Sequence, residues 1–241
     1  MFGFIVDFFN FFLYYPLFNS LVVIYNYLPG HDFGLAIIVL TILIKVILYP
    51  VSVRAINSQK ALQKLQPKLQ EIQKKYKDDK EKQAKEQLEL YRTEKINPFS
   101  GLLLAVAQFP ILIALYRVFW NGLKPEELSH LYNFVSNPVS INTIFFGLID
   151  LSKPNLIFAI LAGILQYFQT KMMMPDSGRG QIKAKDMASM MQKQMLYFFP
   201  ILTVVILLSL PSALGLYWTV SSLFSILQYI ILNKKEKKSV W

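Results

Sequence analysis

Cysteine is absent from this 241-residue chain, which excludes disulfides, thiol catalysis and lipid attachment through cysteine. Histidine is nearly absent. His31 and His130 are too few and too isolated to form a metal site. Lysine and arginine are missing before Lys45, so the N-terminal stretch lacks the basic start of a signal peptide. No phosphate-binding glycine loop and no metal motif occurs, and no cofactor is expected. What is there is apolar: 54% of residues are hydrophobic and the mean hydropathy is +0.38, which argues for a membrane protein.

The net charge of +10 is unevenly spread. Of 25 Lys and Arg, 12 fall in Arg54–Lys95, 5 in Lys171–Lys193 and 4 in Lys234–Lys238. Nearly base-free segments alternate with these, which is the pattern of loops that stay in the cytoplasm. Five spans with an outside N-terminus and a cytoplasmic C-terminus place all three basic segments inside.

The apolar run Leu35–Val53, LAIIVLTILIKVILYPVSV, meets the requirement of about 20 mainly apolar residues for a span. Lys45 lies almost at its centre. A cation at mid-bilayer costs on the order of 3 kcal/mol on insertion scales, so such residues face a bundle interior or a wet cavity. Snorkelling is the bland alternative, but from mid-span a lysine reaches the interface poorly. Thr41 lies one turn earlier on the same face.

Around that span the chain divides into residues 1–30, an N-terminal interfacial helix; 31–53, the first span; 54–96, a cytoplasmic helical hairpin; and 97–241, four further spans with a basic tail. The aromatic, mildly amphipathic start fits a helix lying at the interface, with a sixth span as the alternative. Pro50 is expected to bend the end of the first span. In the hairpin, Leu62, Leu65, Leu69, Ile72 and Tyr76 form a helical seam, matched by Ala84, Leu88 and Tyr91, with a kink or break near Pro67. Asn97-Pro98 caps the second span, Phe99–Trp120, which carries Gln108. In the outer loop, Val139–Leu151 is too short to span and too apolar for open solvent, so it is expected to rest on the membrane surface. The third span is Asn155–Thr170, followed by a basic loop with Pro175, Gly178 and Gly180. Met195–Leu210 and Leu214–Leu232, separated only by Pro211-Ser212-Ala213, are expected to form a tight antiparallel pair.

Lys45, Thr41, Gln108, Tyr217 and Ser221 all fall on spans and together would line a wet concavity. Three chemistries compete. Ser221 or Ser222 with Lys45 would satisfy the residue requirement of a serine–lysine protease, though small polar residues in spans are more often packing glue. A small channel or transporter would favour broken spans or internal repeats, and no repeat is evident. The third is a groove for passing polypeptide, in which Lys45 holds water and attracts carboxylates.

Four stretches in order carry a resemblance: GLAIIVLTILIKVILYP at 34–50, LQPKLQEIQKKYKDDKEK at 65–82, YRTEKINPFSGLLLAVAQFPILIALY at 91–116 and LPSALGLYWTVSSLFSILQ at 210–228. DLSKPN at 150–155 adds a weaker likeness. The chain resembles the YidC/Oxa-type membrane protein insertases from about Phe33 to Leu232. The resemblance implies an all-α polytopic membrane protein of the bacterial inner membrane, with five transmembrane helices around a polar groove. It implies an insertase and chaperone rather than an enzyme, which draws the polar segment of a client into the groove and releases the client's span past the third and fifth helices into lipid. Lys45 then matches the groove's positive residue, Thr41 its polar neighbour, Gln108 the polar position of the second span, and Tyr217 and Trp218 an aromatic pair in the fifth. Ser221 completes the groove set. Nascent membrane proteins are the implied clients, with the ribosome, the Sec translocon, the signal recognition particle receptor and anionic lipids as further partners. Two departures are visible. Lysine stands where arginine is usual, and lysine lacks the planar fork that binds carboxylates bidentately. The chain also looks like a minimal core, without the large outer domain of many bacterial members.

Overall fold

A computed structural model of the protein describes residues 2–97, 100–121, 124–174 and 194–238. Pro98 of the expected cap and residues 175–193 of the basic loop lie outside them. Phe2–Phe9 (α1), a π-helical turn at Asn10–Tyr14 and Tyr15–Tyr27 (α2) make one helical run. Pro16 cannot donate to the carbonyl one turn back, and the wider π turn just before it accommodates the missing bond. Then come Phe33–Ile47 (α3), Tyr49–Lys75 (α4), Lys80–Thr93 (α5), Ser100–Asn121 (α6) and Leu156–Met173 (α7). A π-helical turn, Gln194–Phe198, leads into Phe199–Leu207 (α8), and Ser212–Lys238 is α9. A short antiparallel hairpin, Ile144–Phe145 (β1) with Ile149–Asp150 (β2), precedes α7.

Gly3–Tyr27, Leu156–Met173 and Ser212–Lys234 are each long and apolar enough to cross a membrane, and α3 with α4 makes a fourth candidate broken by a 63° bend. The protein is thus a mostly helical membrane protein. The bend falls at Leu48, two residues before Pro50, so Tyr49–Val53 belongs to α4 and not to the first span. Pro50 sits in the first turn of α4, where its missing N–H costs nothing and its ring would otherwise clash with the carbonyl of Val46. Pro67 causes no break, because α4 runs on through it. Leu65 and Leu69 of the expected seam are buried, whereas Leu88 on α5 is exposed and α5 has no buried residue. The two arms meet instead through Lys68 and Glu94, 2.5 Å apart.

The bonds between helices fix their directions. Asp32 accepts from Leu35 N at the start of α3 and from Phe146 N of the hairpin. Ser212 N and Ala213 N donate to Lys153 O and Leu151 O, joining the starts of α9 and α7. At the other end, Gln59 and Gln63 of α4 both donate to Met173 O of α7, and Gln228 of α9 donates to Ser52 of α4. Hence α3, α7 and α9 run in one direction, with α4 crossing their far ends.

The expected tight pair of the last two helices is not the main contact. α9 packs chiefly on α7 and α3, and α8 packs on α7. α7 is wedged between α8 and α9 because a glycine stands at each contact, Gly163 of α7 against α8 and Gly215 of α9 against α7. A Cβ at Gly163 would lie 2.4 Å from Val204 Cγ2, and one at Gly215 would lie 3.0 Å from Phe158 Cβ. Small residues bring helix backbones together in lipid, where no hydrophobic force drives them.

Candidate functional site

A cavity of about 490 Å³ opens among α3, α4, α6, α7 and α9. Its polar wall consists of Lys45 and Gln108, of Gln166 and Gln169 on α7, and of Tyr217, Ser221, Ser222 and Ser225 on α9. Toward α4 the lining turns to Gln59, Met173, Met174 and Met195. Beneath Lys45 a second space of about 30 Å³, the size of one water, is lined in addition by Ser52 and Gln228.

The half-buried Lys45 donates to Ser225 Oγ at 3.4 Å, and none of the ion pairs among the described residues includes it. A cation without a carboxylate in an apolar bundle leaves attraction for an incoming negative charge. Ser225 in turn donates to Ser221 O at 2.9 Å. The Ser225 hydroxyl proton therefore points away from the lysine, which is held by Ser225 and not by the candidate nucleophiles Ser221 or Ser222. Gln108 donates to the hydroxyl of the buried Tyr217 across the cavity. Gln166 Oε1 is buried with no hydrogen-bond partner, although such groups normally have one.

Of the residues expected from sequence, Lys45, Gln108, Tyr217, Trp218 and Ser221 all line this cavity. Thr41 does not. It is 1% exposed, and its hydroxyl donates to Ile37 O at 2.6 Å within its own helix. The structure adds Ser225, Gln166, Gln169 and Gln59. Ser225 is one turn beyond Ser221, a spacing that marks the same face. Gln166 and Gln169 stand out only as the polar end of an apolar helix, and nothing in their spacing tells which neighbour they meet.

A family model described as 60Kd inner membrane protein matches residues 23–239. The chain belongs to that family, which includes the YidC membrane protein insertases. The YidC insertase of Fusobacterium nucleatum is 36% identical over 204 residues, covering 85% of this chain and 87% of the relative. That of Clostridium tetani is 35% identical over 210 residues, covering 87% and 86%. The YidC insertase of Geobacter metallireducens is 33% identical over 221 residues, which cover 91% of this chain but 36% of the relative. The resemblance carried by the short motifs thus extends over most of the chain. YidC relatives and apolar helices together make this a multi-pass protein of the bacterial inner membrane. The reading as an insertase stands over a channel or a serine–lysine protease, and the family is not one of enzymes.

Proposed function

We propose that the cavity is a hydrophilic groove that receives the polar segment of a nascent membrane protein while the client's apolar span leaves past α7 and α9 into lipid. The observation that carries this reading is a space of about 490 Å³ whose wall holds Lys45 and a buried, unpartnered Gln166 Oε1. A polypeptide segment supplies both a negative charge for Lys45 and an N–H donor for Gln166 Oε1. Water held part-way across shortens the hydrocarbon that a polar chain must face.

Five spans frame the groove in this arrangement: α3, the 22-residue α6, α7, the π turn with α8, and α9. The basic segments put the α4–α5 hairpin and the C-terminal tail in the cytoplasm and the starts of α3, α7 and α9 outside. The α1–α2 run is long enough to span, yet its contacts favour the outer interface. Tyr14 donates to Glu127, Asn19 bonds both His130 O and Tyr132 N, and Asn26 donates to Ser136 O. Residues 14–26 therefore run alongside loop residues 127–136, and a loop carrying Glu127 and open backbone does not cross hydrocarbon. The exposed Phe4, Ile5, Phe8, Phe11 and Phe12 suit the apolar side of an interfacial helix.

Nascent membrane proteins are the clients. The hairpin is the docking element for the ribosome or the signal recognition particle receptor, the Sec translocon is a lateral neighbour, and the tail lysines sit among anionic lipids. Purified protein in liposomes tests the core of this reading with a small single-span client. Insertion without client cleavage and without ion conduction is expected. Conductance without client would indicate a channel, and clipped client a protease.

A further inference from the structure

We propose that the β1–β2 hairpin is a membrane-inserting wedge whose tip, Phe146 and Leu148, docks at the headgroup–acyl boundary of the outer leaflet. The proposal rests on the sidedness given above but not on the groove's role in insertion. It names an insertion point and a depth, beyond general contact of the outer loop with a membrane surface.

The sequence Ile144–Ile149, IFFGLI, has no polar side chain. Two paired positions make a hairpin that would be marginal alone, so its position is set by what holds its base. Asp32, the N-cap of α3, accepts from Phe146 N at 2.7 Å. The ring of Phe145 lies directly on Gly34, where a Cβ would come within 2.1 Å of it, and 6.3 Å from the ring of Phe158 on α7. Leu151, just after β2, is fully buried, and its carbonyl accepts from Ala213 N at the start of α9. Three helix ends therefore clamp the base. These ends mark the level at which the apolar helices begin, since Leu156 and Ile157 in the first turn of α7 are already exposed apolar side chains.

At that level the tip faces outward: Phe146 is 64% and Leu148 84% exposed. The turn itself argues for a purpose. Phe146 and Gly147 have φ of +47° and +71°, a left-handed pair within the three-residue connection between Phe145 and Ile149, where Gly, Asn or Asp is usual. A phenylalanine there is strained, and its N–H is held by Asp32. Turn chemistry alone does not explain an aromatic at this position. An apolar tip on a rigid mount at the bilayer surface does, because aromatic residues are enriched at that boundary.

The chain has no cysteine, so single nitroxides can be placed by Phe146→Cys, Leu148→Cys and, for comparison, Glu126→Cys. The full chain is reconstituted in vesicles of phosphatidylethanolamine and phosphatidylglycerol. Collision rates with oxygen, which concentrates in lipid, and with a water-soluble nickel chelate are then measured. The expected oxygen-to-nickel ratio at 146 and 148 is several-fold above that at 126, placing the tip roughly 5–10 Å into the boundary. Adding Phe146→Ser to Leu148→Cys should return position 148 toward the aqueous ratio while the protein stays folded. Ratios at 146 and 148 equal to that at 126 would overturn the proposal in favour of a solvated loop. Poor access to both reagents would overturn it in favour of contact with another protein.

Discussion

Gly163 and Asp150 show how far single side chains determine this architecture. A valine at 163 would meet Val204 Cγ2 and the Pro200 carbonyl, against which a bare Cβ would already lie at 2.4 and 3.2 Å. Gly163→Val should therefore cost about 1–3 kcal/mol by overpacking, read as a lowered thermal midpoint in detergent. Gly3→Val, with nothing within 4 Å of its Cβ, should leave that midpoint nearly unchanged. Asp150 accepts from Ser152 Oγ at 2.6 Å, from Thr143 Oγ1 at 2.8 Å and from Ser152 N at 3.0 Å, and Lys153 lies at 3.2 Å. The Ser152 hydroxyl first, then the other donors, hold its carboxyl well below the ordinary carboxylate range. A lowered folded-state value means that its stabilisation is fully present above the unfolded pKa of about 4 and is lost as pH falls below it. The difference in thermal midpoint between the native chain and Asp150→Asn should thus be constant from neutral pH to about pH 5 and shrink on further acidification. A difference that grew with acid would show that Asp150 acts in some other way.

Among the elements, the α4–α5 hairpin separates what the sequence discloses from what it hides. Its two helices and the turn before Lys80 follow from charge and apolar spacing, and Asp79 caps α5 by accepting from Lys82 N. Its attachment does not follow, because glutamines on a charged helix carry no mark of their partners. Only the fold shows Gln59 and Gln63 closing on the free carbonyl of Met173. The same limit applies to α7. Its apolar length is plain, but its place between α8 and α9 depends on Gly163 and Gly215 meeting particular neighbours. Chain adjacency wrongly favours α8 with α9. As a docking element, the hairpin should be separable from the spans. Replacing Leu65–Leu90 by a short linker should impair insertion while leaving the thermal transition of the remaining helices in place. Unchanged insertion of every tested client would reduce the hairpin to a spacer.

For the molecule as a whole, the membrane class and most of the cavity wall are legible because hydropathy acts along the chain. Lys45, Gln108 and the Tyr217–Ser221 face stand out as polar interruptions of apolar runs. Thr41 misleads for a physical reason: a threonine in a helix can satisfy its hydroxyl on the carbonyl four residues back and present only a methyl. Gln166 joins the wall through the rotation of α7, which periodicity on one helix leaves open, whereas Ser225 follows from Ser221 by one helical turn. Sidedness is tested by impermeant labels, which should reach Glu126 from outside and Lys80 and Lys237 only from the cytoplasm. An external Lys80 would invert the molecule.

The central claim is that Lys45 attracts the polar part of a client into the groove. Its most direct measure is the ratio of insertion rates for clients with acidic and neutral outer segments, at matched levels of native protein, Lys45→Arg, Lys45→Ala and Lys45→Glu. Arginine should preserve or raise the ratio, since its fork suits carboxylates. Alanine should lower it, and glutamate should lower it most. A ratio that stays flat through alanine and glutamate would contradict the account and remove Lys45 from client recognition.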